Sequence, residues 1–340
     1  MCHPVQTNRG PSGVSLIELM VALLLGLLLV IGAVTMYAQC QRTVRTLETT
    51  ARLQEVARLA FDVLENDIRM AGYWGLVDRA ELIEGRAAPL ADRPAAFTPL
   101  QGARIDHCGG TMSNWAIDLE RYLDGSNNGY GLSCGAFGGD PGVGSDSLVI
   151  RRAAESADAR LDPERIYVHA GRTGGALFVP TATCTDPAHA NCVPAAQPPP
   201  AAQSRVLTVR AYYVAGRSTL GTDVPSLRRK SFGNPNAATA ASAVTDEEIA
   251  PGIEDLQFRL GVDIDGDNNA DQYVNPDSVP SGAAVVSATI WLRIRAERRE
   301  IGHVDDRAYQ YADMAAPLTP NDDYRRILVS KTIHLRNTRA

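Results

Sequence analysis

One stretch of the sequence places oxygen-bearing side chains at the spacing that a metal-binding loop requires. Between residues 263 and 271 a carboxylate or an amide occurs at every second position, and Gly266 permits a sharp turn among them. Hard cations such as calcium select oxygen ligands of this kind, so the loop is a candidate calcium site. The candidate ligands are Asp263, Asp265, Asp267, Asn269 and Asp271.

An alternative interpretation of the same loop needs no metal, because Asp, Asn and Gly also form hairpin turns. Calcium loops of the EF-hand type carry glycine at the sixth position and a bidentate carboxylate at the twelfth. Here Gly266 is the fourth residue and Val274 the twelfth. Neighbouring carboxylates nevertheless repel each other unless a positive charge lies between them. The sequence leaves both interpretations open, and Ca²⁺ is the single cofactor that it suggests.

The other reactive side chains form no recognisable catalytic pattern. The sequence lacks phosphate-binding and dinucleotide-binding glycine motifs, the zinc-protease helix motif and the nucleophile elbow. His107 beside Cys108 could suggest a thiol nucleophile, whereas His169 and His334 lie in strand-like patterns and are expected in the core or on the surface. We therefore expect no enzymatic activity. The dispersed arginines and the net charge of −6 give no indication of a nucleic-acid partner.

Four of the six cysteines lie in loop-like sequence downstream of residue 100. In an exported domain, pairing each with its neighbour would close two local loops, which is the most economical of the three possible connectivities. A zinc site is the alternative, but no Cys-x-x-Cys pair occurs and the histidines are scattered. The two favoured pairs are Cys108 with Cys134 and Cys184 with Cys192.

The element expected to position the whole chain is an apolar run near the N-terminus. Residues 19–38 carry no charge and are mainly Leu, Val, Ile, Ala and Gly. As a helix this run would be about 30 Å long, which is enough to cross the hydrocarbon core of a membrane. A small residue, Gly13, precedes the run, whereas the cleavage site of a secretory signal peptide follows its apolar region. Glu18 lies just inside the apolar boundary.

The segment Gly13-Val14-Ser15-Leu16-Ile17-Glu18-Leu19-Met20-Val21-Ala22 resembles the N-terminus of type IV prepilins. The resemblance implies a leader that a dedicated peptidase removes after Gly13, N-methylation of Val14, and an assembly role for Glu18 as the fifth mature residue. The family usually has Phe where this chain has Val14. A plain signal-anchor helix, with its glutamate at the headgroups, is the alternative interpretation.

Beyond the apolar run the helix is predicted to continue with one apolar face as far as residue 71, because apolar residues recur at three- and four-residue steps. Gly72 is the expected end. The stretch Asp67-Ile68-Arg69-Met70-Ala71-Gly72-Tyr73-Trp74-Gly75, together with a terminal strand that ends in Leu-Arg-Asn, resembles the signature of PilW-type minor pilins.

The remaining sequence predicts an α+β fold, in which the long helix packs on a C-terminal antiparallel sheet with long loops. The expected divisions are a leader at 1–13, a helix at 14–71 with its membrane or assembly part at 19–38, and a periplasmic domain at 72–340. A short helix is expected near 114–123. Strands are predicted at 147–151, 165–169, 176–179, 205–215, 253–264, 285–295 and 326–336. In the 285–295 strand Ile290, Leu292 and Ile294 should face inward, and Trp291, Arg293 and Arg295 outward.

The resemblance implies a minor pilin of a type IV pilus that takes part in initiating fibre assembly at or near the tip. Its implied partners are prepilin peptidase, the inner membrane, the pilus assembly machinery and other minor and major pilins. The domain would be periplasmic before assembly and part of the fibre, or fimbrium, afterwards. A minor pseudopilin of a type II secretion system would share the N-terminal features. A membrane-anchored periplasmic module for calcium-dependent adhesion is the alternative from another class.

Overall fold

The structure is a computed structural model that describes residue 13 and residues 15–87, 108, 115–180, 202–236 and 243–337. The chain divides into two compact units, Met1–Arg52 and Leu53–Ala340. A single helix, α1, spans Leu16–Arg69 and contributes to both. Each unit is described by itself below.

In the first unit, α1 presents apolar side chains to solvent on every side. Its leucines, isoleucines, valines and methionines between residues 16 and 36 are all more than half exposed. Long unbranched and leucine side chains favour the helix, while Gly26 and Gly32 weaken it locally. Within the described residues, α1 is the one helix long and apolar enough to cross a membrane. A helix that is apolar all round is the kind that a bilayer or a bundle of similar helices covers.

In the second unit, the last part of α1 buries one face and exposes the other. The buried residues recur every three or four positions, which places them on one stripe of the helix. They are Leu53, Ala57, Ala60, Leu64, Asp67 and Ile68. The small alanines allow the helix backbone to approach the sheets closely.

Twelve strands follow in the described part of the chain, together with short 3₁₀ turns at Ala80–Leu82, Trp115–Ile117 and Phe137–Gly139. The strands are β1 (Ile83–Glu84), β2 (Leu123–Ser126), β3 (Ser147–Ala153), β4 (Tyr167–Gly171), β5 (Gly174–Phe178), β6 (Gln203–Ala215), β7 (Ser226–Phe232), β8 (Val244–Pro251), β9 (Ile253–Asp263), β10 (Gln272–Val274), β11 (Ala284–Arg295) and β12 (Arg326–His334).

These strands form two mostly antiparallel sheets. The larger has the order β1-β5-β4-β6-β3-β2, with β7 paired to β6 and β8 to β7. Its long strand β6 pairs with β4 through its first residues and with β7 through its last, while β3 lies along its other edge. The smaller sheet has the order β10-β9-β11-β12. The predicted combination of one long N-terminal helix and a C-terminal antiparallel sheet domain is confirmed.

The described residues of this unit form two large hydrophobic cores and a small third cluster of Leu161, Tyr167 and Phe178. The first joins the buried stripe of α1 to both sheets, and includes Tyr212 and Val214 from β6 and Ile290, Leu292 and Ile294 from β11. The second lies on the opposite face of the larger sheet, where Leu207, Val209 and Ala211 of β6 pack with Trp74 and Trp115. Strand β6 has neighbouring strands along both edges and core residues on both faces, so it is the central strand of the larger sheet.

Some predicted elements differ from the structure. The expected helix near 114–123 is limited to the 3₁₀ turn Trp115–Ile117 among the described residues, and Leu123 already begins strand β2. Asp118 and Asp124 favour turns here rather than a sustained helix. Strands β1, β2, β7, β8 and β10 were not expected.

Arg293 was predicted to face outward but is buried beneath the long connection between β11 and β12. Its guanidinium donates to Glu254 Oε2 at 3.1 Å and to the Tyr311 hydroxyl at 3.0 Å. Arg326, also buried, donates to Glu254 and to Asp322 at 2.6–3.1 Å. This charged layer attaches the connection to the outer face of the smaller sheet.

Candidate assembly site

The start of α1 brings together the residues that the sequence singled out for processing and assembly. The backbone N–H of Ser15 donates to Glu18 Oε2 at 3.1 Å. Ser15 and Glu18 have the three-residue separation of a capping box, in which a glutamate satisfies the N–H of the residue that starts the helix. Gly13 is exposed just ahead of them, and Val14 lies outside the described residues. The Glu18 carboxylate is therefore held toward the N-terminal end of the helix.

At its other end, α1 is attached to the larger sheet through one buried carboxylate. Asp67 is 1% exposed and accepts from Arg152 Nη2 at 3.0 Å, from Arg210 Nη1 at 2.7 Å and from the Tyr212 hydroxyl. The two guanidinium groups offset the cost of burying this negative charge. Asp67 thus fixes the rotation of the helix relative to β3 and β6.

The last residues of the described chain also contact the end of α1. The backbone N–H of Arg336 donates to the Arg69 carbonyl at 3.4 Å, and the Asn337 side chain reaches the same oxygen at 3.5 Å. Such contacts satisfy a carbonyl that a helix leaves unpaired at its C-terminus. Gly72 follows with φ of +73°, where the chain turns away from the helix. Both segments that carried the resemblance, at 67–75 and at 335–337, therefore meet at the helix end.

The Asp-rich segment forms the loop of the β9–β10 hairpin. Asp263 accepts from the backbone N–H groups of Gly266 at 2.7 Å and Asn268 at 2.8 Å, and Asp271 accepts from Ile264 at 2.7 Å. One carboxylate oxygen from each of Asp263, Asp265 and Asp267 lies within 4.8 Å of the others. The segment closes a hairpin through its own hydrogen bonds while it keeps three carboxylates together.

Asp271 belongs to the predicted ligand set but does not join that group of three carboxylates. Asn269, also in that set, donates its backbone N–H and its side-chain amide to Asp267, at 2.7 and 2.9 Å. The loop is a turn in which three carboxylates lie close together.

Among the cysteines, Cys108 and Cys134 form a disulfide, while Cys184 and Cys192 lie outside the described residues. Cys40 is free and exposed on α1. The disulfide lies in the second core and links Cys108 to the segment that follows β2.

Of the three histidines that the sequence analysis considered, His169 and His334 lie among the described residues. His169 is buried, its Nδ1 lies 2.9 Å from Ser204 Oγ, and burial lowers the pKa of its ring. His334 is exposed, and His107 lies outside the described residues. A buried Ser–His pair of this kind has no access for a substrate, and it stabilises the contact of β4 with β6.

Sequence reasoning missed the partners of Asp67. Arg152, Arg210 and Tyr212 are 85 to 145 residues away along the chain, and nothing local in the sequence links them to the helix. The available signal in the sequence was the position of Arg152 and Arg210 inside apolar strand patterns. A buried arginine requires an acidic partner, so such a position indicates that an acid lies nearby in the fold.

Comparison with known protein families finds a match in the C-terminal part of this chain. Residues 211–337, from the middle of β6 to the last described residue, match the model of PilW, type IV pilus-assembly protein W. The chain matches no curated protein and no solved structure. The matched region includes Tyr212, which holds Asp67, and Arg336 and Asn337, which contact the end of α1. The match covers 127 of the 340 residues and supports a PilW-type pilus-assembly protein.

Proposed function

We propose that this protein is a minor pilin that is cleaved after Gly13 and takes part in initiating pilus assembly at or near the fibre tip. The observation that carries the proposal is the start of α1, where an exposed glycine is followed by a capping glutamate and a helix that is apolar on every side. The PilW match over residues 211–337 supports a role in the same assembly system. The apolar helix would hold the protein in the inner membrane, with its domain in the periplasm, until assembly.

In the proposed assembly step, the Glu18 carboxylate pairs with a positive charge on a neighbouring subunit and thereby favours association. Cleavage after Gly13 would leave a positive amine on Val14, and methylation of that amine keeps its charge. An unpaired carboxylate costs about 2.5–3.5 kcal/mol at the centre of a bilayer and less near the boundary where Glu18 lies, so a partner in a neighbouring subunit favours association. The hydrogen bond from Ser15 already holds the Glu18 carboxylate toward the helix start. The new amine of an adjacent subunit is the proposed partner.

The surface of the apolar helix suits lateral packing against similar helices. A methyl group added at Gly26 or Gly32 would meet no atom within 4 Å, so these positions are open to a neighbour. Small residues allow helices in a membrane to approach closely and gain van der Waals contact. Other minor and major pilins, which the proposal takes as partners, would supply such helices.

The proposal is tested in cells that make the full-length protein with and without prepilin peptidase. We expect the mature protein to lose its first 13 residues only when the peptidase is present, and Gly13→Glu to block that loss. Glu18→Ala should be processed normally but excluded from fibres. The matched control is Glu48→Ala, which removes an exposed glutamate from the same helix outside the apolar run. Retention of the first 13 residues, or normal incorporation of Glu18→Ala, would refute the proposal.

Two rival functions predict different outcomes in the same cells. A minor pseudopilin would also be processed, but its deletion would stop type II secretion and leave pili intact. A membrane-anchored calcium-dependent adhesin would tolerate Glu18→Ala and would depend on the carboxylates of the β9–β10 loop. The specific observation that favours this second rival is the convergence of Asp263, Asp265 and Asp267.

A further inference from the structure

Asp146 lies just ahead of β3 and joins the larger sheet to the smaller one. Its backbone N–H donates to the Leu256 carbonyl at 2.8 Å, and its carboxylate accepts from the Phe258 N–H at 2.7 Å. The same carboxylate accepts from the N–H of Asn128, in the loop between β2 and β3, at 2.7 Å. A side chain that is 1% exposed therefore holds a loop of one sheet against β9 of the other.

The Asp146 carboxylate makes no ion pair with an arginine, lysine or histidine among the described residues. The charges that act on it are those of Asp255 on β9 and Asp313 on the connection between β11 and β12, and both are negative. Arg293 pairs with Asp255 at 3.9 Å, and Arg259 donates to an asparagine and to a main-chain carbonyl. A buried carboxylate without a cation is costly in its ionised form.

Asp313 attaches the middle of the β11–β12 connection at the same place. Its Oδ2 accepts from the side-chain amides of Asn127 at 2.9 Å, Asn128 at 3.2 Å and Asn275 at 3.0 Å. Its Oδ1 is buried and has no hydrogen-bond partner among the described residues. The connection is therefore held by one carboxylate close to a second, and one of its oxygens can still accept a hydrogen bond.

The surroundings of Asp146 favour its protonated form near neutral pH. Burial raises the pKa of the Asp146 carboxyl most, and the charges of Asp313 and Asp255 raise it further, whereas the N–H donors of Asn128 and Phe258 lower it. The balance raises the pKa of Asp146 from 3.8 to about 7. Because the folded-state pKa exceeds the unfolded one, the bound proton stabilises the folded state fully below pH 3.8, and this contribution is lost as pH rises through about 7.

We propose that Asp146 and Asp313 form an acid pair that holds one proton between its carboxylates, and that loss of this proton releases the middle of the β11–β12 connection. The two negative charges would then repel each other across the junction of the sheets. The ends of the connection would stay attached, because Arg293 and Arg326 keep their ion pairs with Glu254. The proposal goes beyond anchoring, processing and fibre assembly, none of which involves this junction.

The opening is measured by hydrogen exchange and mass spectrometry on the full chain in detergent, with EDTA present so that no cation replaces the proton. A group that titrates near pH 7 only in the closed state raises the opening constant about tenfold between about pH 6 and pH 8.5. After correction for intrinsic exchange rates, we expect peptides that contain Asn128 or residues 310–316 to lose about tenfold in protection. Peptides from the second half of α1 should lose less than about twofold.

Three variants test which groups cause the change. Asp146→Asn removes the titrating carboxyl, so protection at the two pH values should agree within about twofold even if overall stability falls. Asp313→Asn removes the repelling charge but keeps an acceptor oxygen, and it should reduce the pH effect. The matched control is Asp306→Asn, which removes an exposed acid from the same connection and should leave the full effect.

Equal protection at both pH values in the parent chain would overturn the proposal, as would a pH effect that persists in Asp146→Asn or is the same in all three variants. If Asp146→Asn does not fold, judged by circular dichroism, the comparison of Asp313→Asn with Asp306→Asn decides. Processing and fibre incorporation are measured separately in cells, so failure of this proposal is distinguishable from failure of the proposed function.

Discussion

Removing the Asp67 carboxylate should weaken the docking of α1 more than any change on the exposed face of the same helix. In Asp67→Ala the guanidinium groups of Arg152 and Arg210 lose their shared partner, and the Tyr212 hydroxyl loses its acceptor. Breaking a buried ion pair from one side typically costs about 3–5 kcal/mol, since an uncompensated charge remains. For a unit of this size that corresponds to a fall in melting temperature of roughly 6–10 °C.

The assay is thermal unfolding of the full chain in detergent, followed by near-ultraviolet circular dichroism of the buried aromatic residues. Asp62→Ala is the matched control, because Asp62 forms a 3.8 Å pair with Arg58 that is exposed on both sides. Exposed pairs contribute about 0–1 kcal/mol, so this variant should melt within about 3 °C of the parent chain.

A second variant tests whether the stability lost in Asp67→Ala comes from the uncompensated arginine charges. Replacing Arg152 with Met in the Asp67→Ala background removes one of the stranded charges, and it should recover part of the lost stability. A loss below about 1 kcal/mol for Asp67→Ala, or no recovery in the double variant, would refute the assignment of Asp67 as the anchor of the helix.

Three further predictions concern other parts of the domain. Millimolar calcium should raise the melting temperature of the full chain and should not do so in Asp265→Asn combined with Asp267→Asn. No change at about 10 mM calcium, roughly tenfold above the dissociation constants of the weakest extracellular sites, would leave the loop as a turn alone. Cys134→Ser should cost about 3.5 kcal/mol, from the closure of a 26-residue separation, and chemical denaturation should show it as a lower midpoint. Because burial lowers the pKa of His169 below its unfolded value near 6.5, stability should be complete above pH 6.5 and decline as pH falls below it. His169→Gln should flatten that decline, and an unchanged pH profile would contradict the assignment.

The elements that the sequence predicted are those whose burial leaves a regular pattern. The stripe on α1 and the alternation in β11 both follow from packing against a core on one side. Strands β7 and β8 escaped prediction because their facing residues are charged. Arg228, Arg229 and Lys230 lie opposite Glu248, Glu247 and Asp246 in register. Such runs resemble solvated loops in a sequence, yet Arg228 and Lys230 are 3% and 4% exposed.

The sequence could predict those residues of the candidate site that lie in one short motif. It could not predict contacts between residues that are far apart along the chain. Gly13 and Glu18 lie in one short motif, and the hydrogen bond from Ser15 to Glu18 spans three residues. β2 was missed because Asp124, Gly125 and Ser126 are turn formers, and pairing with β3 outweighs their local preference. Strand β2 therefore had no signal in the sequence.

The contact between Asn337 and the Arg69 carbonyl has a consequence for how the chain is made. The two residues are 268 positions apart, and synthesis at 5–20 residues per second separates them by roughly 13–54 s. The helix thus emerges from the ribosome long before the residues that contact its C-terminal end. Until the strands that cover it have been made, the apolar face of the second half of the helix is exposed and prone to aggregation.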